Sequence, residues 1–194
     1  MQSIWPKNGG EMLTDIQKKQ LLKIARDTLK AHLSGEKFSL PNIKDPVLEE
    51  KRGVFVTLKK NGNLRGCIGY IEPVEPLAKA VSAMAIQSAT RDPRFSPIVY
   101  EELEEIKIEI SVLTVPQRIK NPEEIILGRD GVIVKKGWAQ GVFLPQVAEE
   151  TGWSKEEFLD NLCMYKAGLP KDAWKNPETE VYTFQAEVFS EEDI

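Results

Sequence analysis

The segment at positions 64–69 reads LRGCIG and combines a thiol, a guanidinium and two glycines. Glycine inside a strand is tolerated mainly where something approaches the backbone closely. Residues two apart in a strand share a face, so Arg65 and Cys67 are expected to lie side by side. A guanidinium there favours a thiolate and binds carboxylate or phosphate. The segment therefore predicts Cys67 as a candidate catalytic nucleophile, beside a ligand site that includes Arg65, Gly66 and Gly69.

A structural interpretation of Cys67 competes with this one. Free cysteine is among the most frequently buried residues, and the glycines would then admit a closely packed helix. A nucleophilic cysteine usually needs a base, and the one histidine of the chain, His32, lies near the end of the first predicted helix. A Cys67–His32 dyad would depend on tertiary placement alone. A mechanism like that of cysteine proteases is therefore disfavoured.

The segment RDPRF at positions 91–95 is the second candidate. Arg94 and Arg65 together would form an anion-binding pocket, with Asp92 orienting an arginine. The structural alternative is that Asp92, before Pro93, begins a turn after a helix. Asp92 and Arg94 are predicted here as ligand-binding residues, and both interpretations stay open.

Other polar groups of the chain do not predict a metal or a cofactor. The two cysteines, Cys67 and Cys163, form neither a C-x-x-C pair nor a zinc ligand set. Cys163 follows apolar residues on an amphipathic helix and is expected in the core. The acidic residues at positions 101–105 lack ligand spacing, and a solvated face is expected for them.

Composition places the chain among ordinary globular proteins. It has 194 residues, of which 41% are hydrophobic and 29% charged, and its net charge is −4. This acidic balance makes nucleic acid an unlikely partner, although a local arginine pocket is the one route to RNA or DNA. The N-terminal sequence lacks the apolar stretch of a signal peptide, and no stretch has the length of a membrane span. We expect a reduced, cytoplasmic protein.

The predicted elements position the LRGCIG segment in a hairpin. Asn61–Gly62 is typical of a type I′ turn between two strands. Counting outward from it pairs Val56 with Cys67 and puts Cys67 on the face of Val54, Val56 and Leu58. A one-residue shift of register would exchange the faces.

Further patterns define the fold class. A capping box of Thr14 and Gln17 begins a helix that Gly35 ends, and Ser154 with Glu157 begins another that Gly168 ends. A helix with small residues follows the hairpin, and IKIEISVLTV and the terminal VYTFQAEVF alternate as strands. Helices at irregular intervals and strands in hairpins predict an α+β protein with a mainly antiparallel sheet flanked by helices.

Six short motifs resemble those of the AMMECR family: LRGCIG at 64–69, DPRF at 92–95, EISVL at 109–113, GRDG at 128–131, FLPQVA at 143–148 and KAGL at 166–169. The resemblance implies a single AMMECR-like domain over 1–194, with an N-terminal extension at 1–13. It also implies two unequal lobes, with LRGCIG lining a cleft between them. The family is found beside Memo-type and radical-SAM proteins, which implies a functional link to them. No activity is established for the family.

Two functions follow from these residues and this resemblance. The first is a ligand-binding cleft, with chemistry at Cys67 on a small anionic or nucleotide-like substrate. The alternative is a binding or adaptor module for a protein partner, without chemistry. Whether the protein is an enzyme is left open by the sequence.

Overall fold

Helices and strands fall into two units in the part of the chain that the structure, a computed structural model, describes, residues 12–193. The first unit contains the residues up to Val115 and the segment that begins at Glu187, and the second is Pro116–Ala186. Each unit has one four-stranded sheet. All strand pairs with a defined register are antiparallel. The predicted α+β class is confirmed.

The described residues form eight strands and five α-helices. The strands are β1 (Val54–Lys60), β2 (Asn63–Tyr70), β3 (Ile106–Leu113), β4 (Gln117–Ile119), β5 (Gly131–Lys136), β6 (Ala139–Phe143), β7 (Glu180–Phe184) and β8 (Ala186–Ser190). The helices are α1 (Asp15–Ser34), α2 (Pro46–Glu49), α3 (Leu77–Thr90), α4 (Gln146–Thr151) and α5 (Lys155–Asn161). The first sheet has the order β2-β1-β3-β8 and the second β4-β7-β5-β6.

Helix α1 begins and ends where its sequence predicts. The Thr14 hydroxyl accepts the Gln17 N–H at 3.3 Å, and the Gln17 side chain accepts the Thr14 N–H at 2.8 Å. Gly35 ends the helix in a left-handed conformation, with φ of 78°, which glycine adopts without strain. The predicted capping box of Ser154 and Glu157 likewise begins α5, which continues through one π-helical segment to Gly168.

The β1–β2 hairpin has the predicted turn but not the predicted register. Asn61 and Gly62 both have positive φ, 52° and 77°, as a type I′ turn requires. The turn pairs Lys60 with Asn63, and a bulge then adds one residue to β2 beyond Lys59. From there on, every pair is shifted by one.

The shift moves Cys67 to the opposite face from the one predicted. Cys67 pairs with Thr57, and Val56 pairs with Ile68. The predicted Val56–Cys67 pair is therefore wrong, because the turn residues define only the first pair after them and the bulge lies further along. The alternative register, with the faces exchanged, is the one observed.

Two helices cover the buried face of the first sheet. Val54, Val56 and Leu58 of β1 are fully buried, as are the alternating isoleucines of β3. The small residues predicted on α3 are buried against β1 and β2, and α1 packs on α3 and β3. This layer is the core of the first unit.

The second unit has a separate core. Val132 and Val134 of β5 pack with Phe143 and with Phe158 of α5. Cys163 is fully buried in the same cluster, as predicted, and burial raises the pKa of its thiol.

The terminal segment VYTFQAEVF is two strands rather than one. β7 and β8 are separated at Gln185, and they belong to different sheets. The prediction of a single strand is wrong, because the alternation continues across a residue at which the chain leaves one sheet for the other.

Three predictions from the sequence are not tested by the described structure. The single domain over 1–194 and the cleft between unequal lobes stay predictions. Most of the predicted N-terminal extension lies outside the described residues, while its last residue, Leu13, is buried. No helix of residues 12–193 combines the length and apolar content that crossing a bilayer requires.

Strand β2 and helix α3 meet at Gly66 with almost no space between them. A Cβ atom at Gly66 would lie 2.2 Å from the Ser88 carbonyl oxygen. We therefore expect Gly66→Ala to lower the free energy of unfolding by about 1–3 kcal/mol, because backbone atoms of α3 must move. Urea denaturation measures the change.

The control for this variant is Leu64→Ala in the same strand, where the side chain is 41% exposed. That change is expected to cost less than about 1 kcal/mol. Equal stability of Gly66→Ala and the unsubstituted protein would show that α3 does not need the glycine.

Candidate functional site

Cys67 lies on an edge strand whose outer side is covered by the DPRF segment. The Cys67 N–H donates to Asp92 Oδ2 at 2.9 Å, and its carbonyl accepts from Arg94 Nη2 at 3.4 Å. An edge strand leaves such backbone groups without a neighbouring strand. The Asp92 and Arg94 side chains supply the missing partners at this residue. The structure thus brings together three of the predicted site residues.

Asp92 is a buried carboxylate that anchors Arg94. Only 5% of Asp92 is exposed, and its two oxygens accept from Arg94 Nε at 2.9 Å and from Arg94 Nη2 at 2.7 Å. The Arg94 hydrogen bonds hold the pKa of the Asp92 carboxyl well below its usual range, opposed by burial and helped by the Cys67 N–H. Arg94 in turn has a raised pKa.

The outer side of Arg94 is open to solvent. Its side chain is 54% exposed, and Nη1 has no hydrogen-bond partner among residues 12–193. Asp92 binds Nε and Nη2 of the guanidinium, and the centre of the Phe95 ring lies 5.5 Å from its Cζ, so Nη1 is the nitrogen without a described partner. The pair therefore presents a donor to the surface beside Cys67.

The Cys67 thiol is partly buried and bonded to a hydroxyl. Thr57, its partner across the hairpin, has Oγ1 at 3.2 Å from Cys67 Sγ and donates to it. No histidine or carboxylate of the described chain hydrogen-bonds to the sulfur. His32 lies exposed at the end of α1 and has no bond to Cys67, so the dyad is not formed.

Arg65 binds a glutamate rather than the thiol. It donates from Nε and Nη2 to Glu102 at 3.1 and 2.9 Å, and from Nη1 to the Ser96 carbonyl at 2.8 Å. Arg65, with help from Lys60 and opposed by burial, lowers the pKa of Glu102 to about 2. A role of Arg65 in ligand binding stays a prediction, since all three of its nitrogens have protein partners.

The two glycines beside Cys67 are closely covered by protein atoms. Gly66 faces the backbone of α3 at Ser88. A Cβ atom at Gly69 would lie 2.3 Å from the Val54 carbonyl oxygen and 2.4 Å from the ring of Phe55. Close backbone approach, expected from glycine in a strand, is thus present at both positions. Their role in ligand binding stays a prediction.

Ser88 is a residue of this region that the sequence analysis missed. Its hydroxyl accepts the Ile68 N–H at 2.8 Å and donates to the Val56 carbonyl at 2.7 Å. Val56 and Ile68 are directly paired, so the hydroxyl bridges the two strands. The feature of the sequence that could have indicated this role is a polar serine among the small, apolar residues of α3.

One residue of the acidic stretch, Glu102, does not lie on the predicted solvated face. Glu101, Glu104 and Glu105 are exposed, as the predicted solvated face requires, but Glu102 is the partner of Arg65 and is 18% exposed. Spacing alone does not distinguish it from its neighbours. No cluster of three or more metal-ligating side chains exists among residues 12–193.

The lowered pKa of Glu102 makes the Arg65–Glu102 pair sensitive to acid. The pair stabilises the fold above pH about 4.5, and this contribution is lost as the pH falls from about 4.5 to about 2. We expect Glu102→Gln to lower the free energy of unfolding by about 1–2 kcal/mol at neutral pH, and by progressively less toward pH 2. Denaturation at a series of pH values measures this difference.

Glu101→Gln is the matched control, because Glu101 is exposed and adjacent. Its cost is expected to be near zero at every pH. A cost of Glu102→Gln that does not change between neutral pH and pH 2 would mean that the charge of Glu102 does not stabilise the fold.

Comparison with known proteins shows the family to which the chain belongs. The AMMECR1 family profile matches residues 22–189. A protein of Methanothermobacter thermautotrophicus is 54% identical over 89% of this chain and 93% of its own length, and one of Methanopyrus kandleri is 48% identical over 95% and 93%. The crystal structure of an uncharacterized protein from Pyrococcus horikoshii is 45% identical, covers 89% of this chain and 90% of its own, and superposes with a TM-score of 0.79. The chain belongs to the AMMECR1 family.

Proposed function

We propose that the surface formed by Thr57, Cys67, Asp92 and Arg94, here called the edge site, binds a small anionic ligand. Arg94 pairs with the negative group of the ligand, and the Cys67 thiol faces it. A nucleotide-like ligand belongs to this class, because its phosphate is such a group. The observation that carries the proposal is the Arg94 guanidinium, fixed on one side by buried Asp92 and open on the other.

Anchoring favours binding because it reduces the entropy that Arg94 would lose. A free arginine side chain loses rotamer freedom when it binds an anion. Two hydrogen bonds to Asp92 and one to the Cys67 carbonyl already restrict Arg94. The ligand then needs only to hydrogen-bond to Nη1 of the restricted Arg94 side chain.

The Cys67 thiol gives this site a second chemical function. The Thr57 hydroxyl donates to Sγ and so stabilises negative charge on sulfur. No side-chain base among residues 12–193 is bonded to the thiol, so its proton would leave to water. Cys67 is therefore the candidate nucleophile if the site catalyses a reaction, and a ligand contact if it does not.

Alkylation tests both residues at once. We expect Cys67 to react with iodoacetamide in the folded protein, while buried Cys163 reacts only after unfolding. We also expect iodoacetate, an anion, to react faster at Cys67, relative to iodoacetamide, than it does with free glutathione. Arg94→Gln is expected to reduce this preference by about 3–10-fold, because the guanidinium attracts the carboxylate. Mass spectrometry of the modified peptides measures both rates.

Arg91→Gln is the matched control, since Arg91 is exposed in the same segment. It is expected to leave the preference unchanged. An unreactive Cys67 in the folded protein would exclude the thiol from the site. A preference that Arg94→Gln does not alter would exclude Arg94 as the anion-binding group.

Protection from alkylation tests the class of ligand. We expect inorganic phosphate and adenosine monophosphate, each at about 1–10 mM, to slow the iodoacetamide reaction at Cys67, because either anion would occupy Arg94. The same additions are expected to have no effect in Arg94→Gln. Chloride at equal ionic strength is the control, and equal slowing by chloride would indicate screening in place of binding.

The alternative function, a binding or adaptor module without chemistry, differs from an enzyme in that it does not need the Cys67 sulfur. Cys67→Ser keeps the size and polarity of the side chain and removes the nucleophile. If the site only binds its ligand, the Cys67→Ser protein would still bind it. Arg94→Gln would weaken both functions.

A further inference from the structure

Cys67 is the more accessible of the two cysteines of the chain. Both are free, but Cys163 is fully buried in the core of the second unit, whereas Cys67 is partly exposed. A compound attached to Cys67 through sulfur therefore meets no second accessible thiol within the chain that could displace it. Such an adduct lasts until a thiol from solution removes it.

The partners of Cys67 limit the reactions that its sulfur can perform. Among residues 12–193, the Thr57 hydroxyl donates to the sulfur, and no side-chain base hydrogen-bonds to it. A thiol that attacks a carbonyl group usually depends on a neighbouring base. Thiol–disulfide exchange does not, because it needs only a thiolate, an accessible sulfur and a leaving thiolate. A disulfide is therefore the electrophile that suits this thiol.

Positive charge lies beside the sulfur at the outer edge of β2. Arg94 Nη2 donates to the Cys67 carbonyl at 3.4 Å, and Nη1 has no partner in the described part of the chain. The hydrogen bonds to Asp92 raise the pKa of Arg94, burial opposes this, and the electrostatic interaction with Cys67 adds to it. The guanidinium and the sulfur are thus close enough to act on one small compound.

The other arginine of the segment, Arg65, does not compete for such a compound. Its three nitrogens donate to the Glu102 carboxylate and the Ser96 carbonyl. Binding an anion there would break these bonds and leave Glu102 without its partner, which is costly. Selection among charged compounds at Cys67 is therefore expected to depend on Arg94.

We propose that the edge site reacts with small disulfides that carry a carboxylate, and that Cys67 retains one half of them as a mixed disulfide. The proposal rests on the proposed anion binding by Arg94 and names the class of compound. The Cys67 thiolate attacks one sulfur of the disulfide, so a new S–S bond forms while the old one breaks. The Cys67 sulfur is oxidised, and the departing sulfur is reduced and leaves as a thiolate. The Cys67 proton passes through water to this thiolate, and Arg94 pairs with the carboxylate of the half that stays.

Three disulfides with the same two-carbon spacer test the proposal. 3,3′-Dithiodipropionate carries carboxylates, 2-hydroxyethyl disulfide carries hydroxyls and cystamine carries ammonium groups. Mass spectrometry follows the adduct on the folded protein, where Cys67→Ser assigns it and unmodified Cys163 shows that the fold is intact. Each rate is divided by the rate of the same disulfide with 2-mercaptoethanol, a neutral thiol, which removes the intrinsic reactivity of the compound.

We expect the corrected rate to fall from the carboxylate to the hydroxyl to the ammonium compound, with about 3–10-fold between the first two. Arg94→Gln is expected to abolish this advantage of the carboxylate. A loosened strand would change the rates of all three compounds alike, so their ratio isolates the charge. Arg91→Gln, exposed in the same segment, is the matched control and should keep the advantage.

Equilibrium measures whether Arg94 also holds the carboxylate in the adduct. With the carboxylate and hydroxyl thiols and their disulfides present in equal amounts, we expect the 3-mercaptopropionate adduct to exceed the 2-mercaptoethanol adduct by about 3–10-fold. Arg94→Gln should remove this excess.

The proposal is overturned if Cys67 of the folded protein forms no mixed disulfide, if the hydroxyl compound reacts as fast as the carboxylate compound, or if Arg94→Gln keeps the advantage. The proposed anion binding can be judged separately by alkylation. An iodoacetate preference that depends on Arg94, together with no mixed disulfide, would leave the anion site standing and remove only the disulfide chemistry. Absence of both would remove the two together.

Discussion

The LRGCIG strand depends on the hydrogen bonds and the ion pair that the buried Asp92 carboxylate makes. A buried charge is tolerated only when hydrogen bonds and an opposite charge compensate its loss of water. Asp92 obtains these from the Cys67 backbone and from Arg94. The same bonds therefore satisfy the outward backbone groups of β2 at Cys67 and fix the Arg94 guanidinium. The edge of the sheet and the candidate site thus depend on the same interactions.

Helix α3 determines how close this strand can come to the core. Gly66 allows the backbone of the helix to approach, and the Ser88 hydroxyl enters the pairing of β1 with β2. Packing thus explains one of the glycines that first indicated chemistry, and the ring of Phe55 covers the other. The chemical interest of the segment moves from its glycines to Cys67, Asp92 and Arg94.

Local signals in the sequence were sufficient for much of this fold. Helix ends at Thr14 and Gly35 and the Asn61–Gly62 turn depend on a few adjacent residues, so the sequence predicts them directly. The bulge in β2 was not predictable, because it depends on how Arg65 and its neighbours meet a second strand. The same reason applies to the candidate site, in which Asp92 and Arg94 were predicted but Ser88 and Glu102 were not. Their roles come from partners distant in sequence, and a single sequence carries no record of such contacts.

The order of the strands has a consequence for synthesis on the ribosome. The second unit is inserted between β3 and β8, which are neighbours in the first sheet. The first sheet thus lacks its fourth strand until residues 186–190 emerge, and β3 offers an unpaired edge while the second unit is made. Glu187 and Glu191, which bind Lys18 and Arg26 of α1, arrive with that strand. The first unit is therefore completed only after the second unit has been synthesised, and a chain cut before β8 would leave Lys18 and Arg26 without these glutamates, beside an open sheet edge.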